Sequence, residues 1–169
     1  MTKHFNITGE LTQELLAPGD NVNISLVSLT NVDSSRSSTV DLYIEKKFTG
    51  KFYLLKNLNI PFGVTLIRDI FHFNNKANGF GLYIKLTKAD TFTLTGSIDP
   101  AASVTVVGVG TAFLSEVSVG DEIVVSGETR VVTAIASDTS LTVNIAFSNN
   151  SNDTSPDCNP VPPVDVILS

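Results

Sequence analysis

Apolar and polar side chains alternate with a period of two along most of this chain, as they do in strands that bury one face. Ile24, Leu26 and Leu29 predict one strand after the turn Pro18-Gly19-Asp20-Asn21. Val40, Leu42 and Ile44 predict a second, alternating with Asp41, Tyr43 and Glu45. Residues 52–55 follow, and Leu58 and Ile60 lead into the turn Pro61-Phe62-Gly63. Val64 and Leu66 open the next strand, while Leu82, Ile84 and Leu86 close this half. The connections 31–39 and 74–81 are rich in Ser, Asn and Gly. Only residues 11–17 predict a helical turn.

Beyond Thr91 the pattern changes. Aromatics thin to Phe92, Phe113 and Phe147, and the predicted strands become small and Val-rich over 104–107, Glu122–Val125, 129–135 and 141–145. Tight turns separate them at Gly108-Val109-Gly110-Thr111, Ser126-Gly127-Glu128 and Ser137-Asp138-Thr139-Ser140. Short strands at this spacing predict a small barrel. The tract 148–163, made of Asn, Ser, Asp and Pro, predicts a linker. After it, Val164, Val166 and Leu168 alternate with Asp165 and Ile167 in a last strand. A strand this short cannot bury itself alone, so it either returns to the first sheet or pairs with another chain. The first half lacks a closing strand without it, which favours the return. The expected fold is all-β. Residues 1–91 plus 162–169 form a small β-sandwich, immunoglobulin- or jelly-roll-like, and residues 92–161 form an inserted, acidic, small β-barrel-like domain that includes the linker 148–163.

Charge sharpens this division. The net charge of −6 is spread unevenly, because all eight lysines lie at or before Lys88. Residues 1–91 carry ten Lys/Arg against eight Asp/Glu, whereas 92–169 carry only Arg130 against nine acids. A nucleic-acid binder needs clustered cations to displace counterions from phosphate, and neither half has such a cluster. With 17% charged residues and a mean hydropathy of +0.20, the surface is expected to be covered by Ser, Thr and Asn or hidden against partners. Cys158 is the only cysteine, which excludes an intrachain disulfide and a Cys-based metal site. Neither a leader peptide nor an apolar run of transmembrane length is expected, so the chain reads as soluble and made in the cytoplasm.

Two groups of segments resemble known proteins. Gly108-Val109-Gly110-Thr111-Ala112-Phe113-Leu114, Val117-Ser118-Val119-Gly120-Asp121, Gly127-Glu128-Thr129 and Ala136-Ser137-Asp138-Thr139-Ser140-Leu141-Thr142-Val143 resemble a small β-module that recurs in tailed-phage virion proteins. Phe52-Tyr53-Leu54-Leu55-Lys56-Asn57-Leu58, Ile60-Pro61-Phe62-Gly63-Val64-Thr65-Leu66 and Val164-Asp165-Val166-Ile167 resemble small β-sandwich structural proteins of marine and cyanobacterial phages. The resemblance implies a virion component and carries over no binding residues. Read physically, each motif position has a folding duty: Gly108 and Gly110 permit positive φ, Phe113 and Leu114 plug the barrel, and Asp138 accepts hydrogen bonds within its own turn.

Chemistry is harder to find. His4 is expected at a flexible start and His72, within Ile70-Phe71-His72-Phe73, on an exposed strand face. Cys158 has no base beside it to lower its pKa and reads as a surface thiol or a packed small residue. Ser126-Gly127 lacks the elbow of a hydrolase nucleophile, and Gly108-Val109-Gly110-Thr111 lacks the Lys and helix of a phosphate loop. Asp153 and Asp157 with Asn149, Asn150, Asn152 and Asn159 offer oxygen ligands for calcium, but not at a recognised spacing. Asp121 and Glu122 point to opposite strand faces and make no paired acids. Phe71, Phe73, Phe80 and Tyr83 are the candidates for a weak sugar platform. No catalytic, cofactor-binding or metal-ligating residue is expected. The chain is expected to be a non-enzymatic structural component of a bacteriophage virion (capsid decoration, neck or tail accessory protein). It is expected to be homo-oligomeric and bound to other virion proteins, without nucleic acid, membrane or cofactor. The alternative is a virion-surface adhesin-like module binding host polysaccharide or protein.

Overall fold

The structure is a computed structural model, and it describes residues 2–9, 12–69, 72–76, 79–87 and 89–169. In chain order the strands are β1 (Lys3–Ile7), β2 (Gln13–Leu16), β3 (Asn23–Ile24), β4 (Val27–Asn31), β5 (Ser38–Lys46), β6 (Gly50–Ile60), β7 (Thr65–Arg68), β8 (Phe73–Asn74) and β9 (Gly81–Thr87). Then follow β10 (Phe92–Thr93), β11 (Ser97–Asp99), β12 (Thr105–Val109), the single helical turn α1 (Phe113–Glu116), β13 (Glu122–Val125), β14 (Glu128–Ser137), β15 (Ser140–Val143), β16 (Asp157–Asn159) and β17 (Val164–Leu168). The chain divides into two compact units, Met1–Thr87 with Pro162–Ser169, and Lys88–Val161. The crossover comes earlier than the change of composition at Thr91, because Ala89 N–H donates to Pro160 O (2.8 Å) and Leu94 N–H to Pro156 O (2.7 Å).

The first unit holds two four-stranded antiparallel sheets, β1-β17-β4-β7 and β2-β9-β5-β6, and the ribbon β3-β8. β17 in one sheet and β9 in the other alternate buried with less buried residues, a pattern consistent with a β-sandwich. Ile7, Leu29, Val164, Val166 and Leu168 of one sheet, and Val40, Leu42, Leu82, Ile84 and Leu86 of the other, are buried. β17 lies between two partners, in register with β1 from Lys3↔Leu168 to Ile7↔Val164 and with β4 from Val164↔Asn31 to Leu168↔Val27. The buried Asn31 side chain joins β4 to the loop that follows it and to the end of β6, donating from Nδ2 to Arg36 O and Ile60 O (both 2.9 Å) and accepting Asp33 N–H at Oδ1 (3.0 Å).

Three expectations for this unit change. Residues 13–16 form a strand instead of a helical turn. The adjacent Leu15 and Leu16 are both buried because a register irregularity lies between Glu14 and Leu16, which hides the period of two. Leu11 lies outside the described residues. Ile24 and Leu29 belong to two strands, β3 and β4, in different sheets. His4, expected at a flexible start, is fixed on β1 opposite Ile167.

The second unit is one seven-stranded antiparallel sheet in the order β10-β16-β13-β14-β15-β12-β11, and no sheet among the described residues closes on itself. Its core comprises Leu94, Ile98, Val106, Phe113, Val117, Ile123, Val125, Val132, Leu141, Val143, Phe147 and Cys158. The β13–β14 hairpin turns on Ser126 (φ +50°) and Gly127 (φ +82°), the two left-handed residues that a primed turn needs. Gly110 is left-handed (φ +66°), but Gly108 is not. A Cβ at Gly108 would clash with the Thr111 side chain, which would have to leave its bond to Asp138 O. Phe113 is buried whereas Leu114 faces solvent, and Asp138 reaches outside its turn to accept Leu114 N–H at Oδ1 (3.0 Å).

The tract 148–163, expected as a linker, carries β16, which pairs with both β10 and β13. Side-chain hydrogen bonds there supplement the burial of Pro156, Cys158, Pro160 and Val161, so a polar composition conceals order. Glu128 accepts Ser148 Oγ–H (2.6 Å) and Ser148 N–H (3.1 Å), then Asn149 N–H (2.6 Å), and pairs with Arg130. Asp153 accepts Ser126 N–H (2.6 Å) and Ser155 N–H (2.9 Å). The Ser148 bonds, above all, lower the Glu128 carboxyl from 4.5 to about 2. Since its folded value is depressed, the stabilisation is present above the unfolded value and is lost as pH falls through about 2. The amide resonances of Ser148 and Asn149 should therefore titrate with an acid midpoint near 2, and a midpoint near 4.5 would remove this anchor.

Cys158 is buried in the core between Ile123 and Phe92, with its thiol 3.9 Å from Asp121 Oδ2. Cys158→Ser puts a smaller, more strongly solvated hydroxyl between apolar neighbours, too short to keep the sulfur's packing beside Asp121, and should destabilise the protein by about 1–3 kcal/mol, read as a lower urea midpoint at unchanged slope.

Candidate interaction surface

The antiparallel register of the sheet β2-β9-β5-β6 sets one residue of each strand side by side, and side chains directly opposite share a face. One such row reads Glu14, Tyr83, Tyr43, Tyr53. The three tyrosines form a continuous ladder, with ring centroids 5.7 Å apart and 20° between planes for Tyr43 and Tyr83, and 5.6 Å and 52° for Tyr43 and Tyr53. Contacts of this geometry add to the area they bury. Tyr43 is almost wholly covered, while Tyr53 at the open end is 44% exposed.

Hydroxyls and lysines fix the row. Tyr83 O–H donates to Glu14 Oε2 (3.0 Å), and Tyr43 O–H donates to Thr12 Oγ1 (3.3 Å). Desolvation, followed by the Glu14 bond, pushes the Tyr83 hydroxyl up to about 12. Lys51 Nζ donates to Tyr43 Oη (3.2 Å) and lies 4.5 Å from that ring's centroid; the hydrogen bond is the main reason its ammonium titrates above the usual lysine range. Lys56 Nζ lies 4.6 Å from the centroid of Tyr53. Such cation–ring contacts order long side chains above an aromatic surface.

β6 is also the last strand of its sheet, and nearly all its residues are exposed. Phe52 packs edge-on against Phe80 (5.8 Å), and Leu54, in the irregularity between Tyr53 and Leu55, is exposed. The chain then turns through exposed Phe62 and Val64 into β7, the edge strand of the other sheet, which exposes Ile67. Two irregularities interrupt the pairing of β5 with β6, between Val40 and Leu42 and between Leu42 and Tyr43. Asn57, left-handed at φ +49°, sits in the first and donates its N–H to Asp41 Oδ1 (2.7 Å). Bulges and lysines at an edge discourage a long added strand. This surface is therefore built for side-chain contacts.

The residues singled out in the sequence do not converge. Phe71 lies outside the described residues, Phe73 is buried, Phe80 packs on Phe52, and only Tyr83 joins an aromatic row. His72 is exposed just before β8, and His4 stands on β1. Asp157 accepts Thr93 Oγ1–H (2.8 Å) and Asn159 accepts Thr91 Oγ1–H (2.6 Å), so their oxygens bind strand neighbours. Among the described residues no group of three or more His, Cys, Asp or Glu side chains gathers in a metal-binding arrangement. Asp121 is buried and accepts Ser118 N–H (2.9 Å) and Val161 N–H (2.8 Å), apart from the half-buried Glu122. Ser126 Oγ–H donates to Ser151 O (2.8 Å). Tyr43 and Tyr53 were legible only as alternating strand residues; a ladder needs the cross-strand register. Comparison with protein-family models, with curated proteins and with solved structures found no match.

Proposed function

We propose that this chain is a non-enzymatic structural component of a bacteriophage virion, a capsid decoration, neck or tail accessory protein that works through protein–protein contacts. The observation that carries the reading is the exposure of large apolar side chains on the two edge strands, Phe52 and Tyr53 on opposite faces of β6, Leu54 beyond them and Ile67 on β7, with Phe62 in the turn between and Lys56 over Tyr53. Aromatic anchors set among polar neighbours are the usual content of a binding hot spot. The motif resemblances supply the virion setting. In this reading the first unit is an immunoglobulin- or jelly-roll-like sandwich and the second a barrel-like insert within it. The protein is made in the host cytoplasm, assembles with its own copies and with other virion proteins, and needs no cofactor, nucleic acid or membrane.

The test is the position and copy number of the protein in a density map of the intact particle, together with sedimentation against purified virion proteins. Phe52→Ala with Tyr53→Ala should weaken virion binding at least about tenfold, as loss of a hot spot does. The exposed Tyr53 ring also favours a second reading, a virion-surface adhesin that stacks host sugars. A monomer that ignores virion proteins and binds host glycans through Tyr53 would replace the structural role with that one.

A further inference from the structure

The turn between β5 and β6 carries a feature that folding alone does not require. Phe48 holds φ at +66°, a region that glycine enters freely and bulky side chains avoid. Its ring gains nothing from the fold in return, being 96% exposed. Thr49 N–H donates to Lys46 O (3.0 Å), closing the turn beneath it. The hairpin carries three lysines against one carboxylate, Glu45: Lys47 Nζ lies 5.1 Å from the Phe48 centroid, while Lys46 lies over Phe80 and Lys51 over Tyr43. A strained and solvated aromatic at the tip of a cationic hairpin is the shape of an anchor awaiting a pocket.

The second unit offers the complement. Antiparallel register puts Asp99, Val107 and Ser140 in one row and Ser97 and Val109 in the next, all on one face of the β11-β12-β15 end of the sheet. Val107 and Val109 are exposed among small side chains, with Asp99 at their side. Charge matches as well. The first unit carries nine Lys/Arg and eight Asp/Glu, the second two Lys/Arg and nine Asp/Glu, so the units have opposite net signs of +1 and −7. A prong meeting another prong would set lysines against lysines, whereas a prong meeting the valine face sets them against Asp99 within a unit of net charge −7.

We propose that the β5–β6 turn is a docking prong whose partner is a second copy of this chain, Phe48 resting on the Val107–Val109 face of that copy while Asp99 meets the lysines. The contact is heterologous, joining unlike surfaces, so it propagates from copy to copy into a ring or an open row. It rests on the reading that the chain works through protein contacts, and it specifies which surfaces the copies use.

Complementation tests it. The full chain should self-associate in sedimentation velocity, and added salt should weaken the association. Phe48→Asp alone and Val107→Asp alone should each lose self-association at least about tenfold, while an equimolar mixture forms a capped one-to-one pair, because each variant keeps the surface the other lacks. Phe48→Gly should melt higher than the parent, relieved of its strained φ, and still fail to associate. Both positions are exposed, so a melting curve confirms that each variant is folded. Normal self-association of Val107→Asp by itself would overturn the proposal. So would a monomeric parent, and the virion proteins then separate the two failures: a monomer that still binds them loses only the contact between copies, and one that does not loses the structural role too. Phe48-dependent sedimentation of a monomer with phosphatidylserine vesicles would overturn it in favour of a lipid surface.

Discussion

Ending the chain after Pro163 should leave the first unit without a stable fold. The deletion removes β17 from between β1 and β4, so both neighbours lose a ladder and two new sheet edges are bared. Three wholly buried side chains go with it, Val164, Val166 and Leu168, each worth about 1.5–3 kcal/mol. Their sum of about 5–9 kcal/mol is of the order of a domain's whole stability, about 5–15 kcal/mol. Ser25 N–H and Leu26 N–H also lose their acceptor, Ser169 O, at 2.8 and 2.9 Å. Amide exchange across β4, β5 and β9 should become unprotected, and a synthetic peptide of residues 163–169 added in trans should restore protection. A truncated chain that keeps its protected amides would mean that β17 is dispensable.

In the second unit the largest single loss is expected from Phe113→Ala. The ring is wholly buried, and apart from Phe147 the fully buried side chains around it are aliphatic or Cys158. A Cβ added to Gly108 would come within 3.0 Å of the Phe113 ring, so the ring lies against bare backbone that has no side chain to swing into the vacated space. Cavities that cannot collapse give the upper range of such substitutions, about 3–5 kcal/mol. Urea unfolding followed through the amides of β13, β14 and β15 should show that loss, while Leu114→Ala next door, exposed as it is, should change it by less than about 0.5 kcal/mol. Equal effects at the two positions would remove the assignment of Phe113 as the keystone of this core.

Period-two alternation made the long strands legible. β5, β9, β13 and β17 stand where Val, Leu and Ile recur at every second residue, because one face is covered and the other is not. What escaped was structure held by register or by polar bonds. β2 hides behind a bulge that buries two adjacent leucines. β16 contributes one apolar residue, Cys158, and owes its place to pairing on both sides. The tyrosine ladder joins residues 43, 53 and 83, which share a row only once the irregularities in β6 are known. Phe48 gave no signal at all, since left-handed backbone in a bulky residue cannot be read from its identity.

The place of β17 also sets an order of events during synthesis. Residues 88–161 are contiguous, so every partner in the second sheet has left the ribosome once residue 161 has. The first unit has no such freedom: β1 and β4 wait for residues 164–168, which are translated only after the entire second unit. Until then their apolar faces stand open to chaperones and to other nascent chains. The loop that must close, from residue 7 to residue 164, makes completion slow as well as late. The surfaces along β6 and β7 thus become fully supported only on chains translated past β17, and fragments cut short within the second unit cannot complete the first.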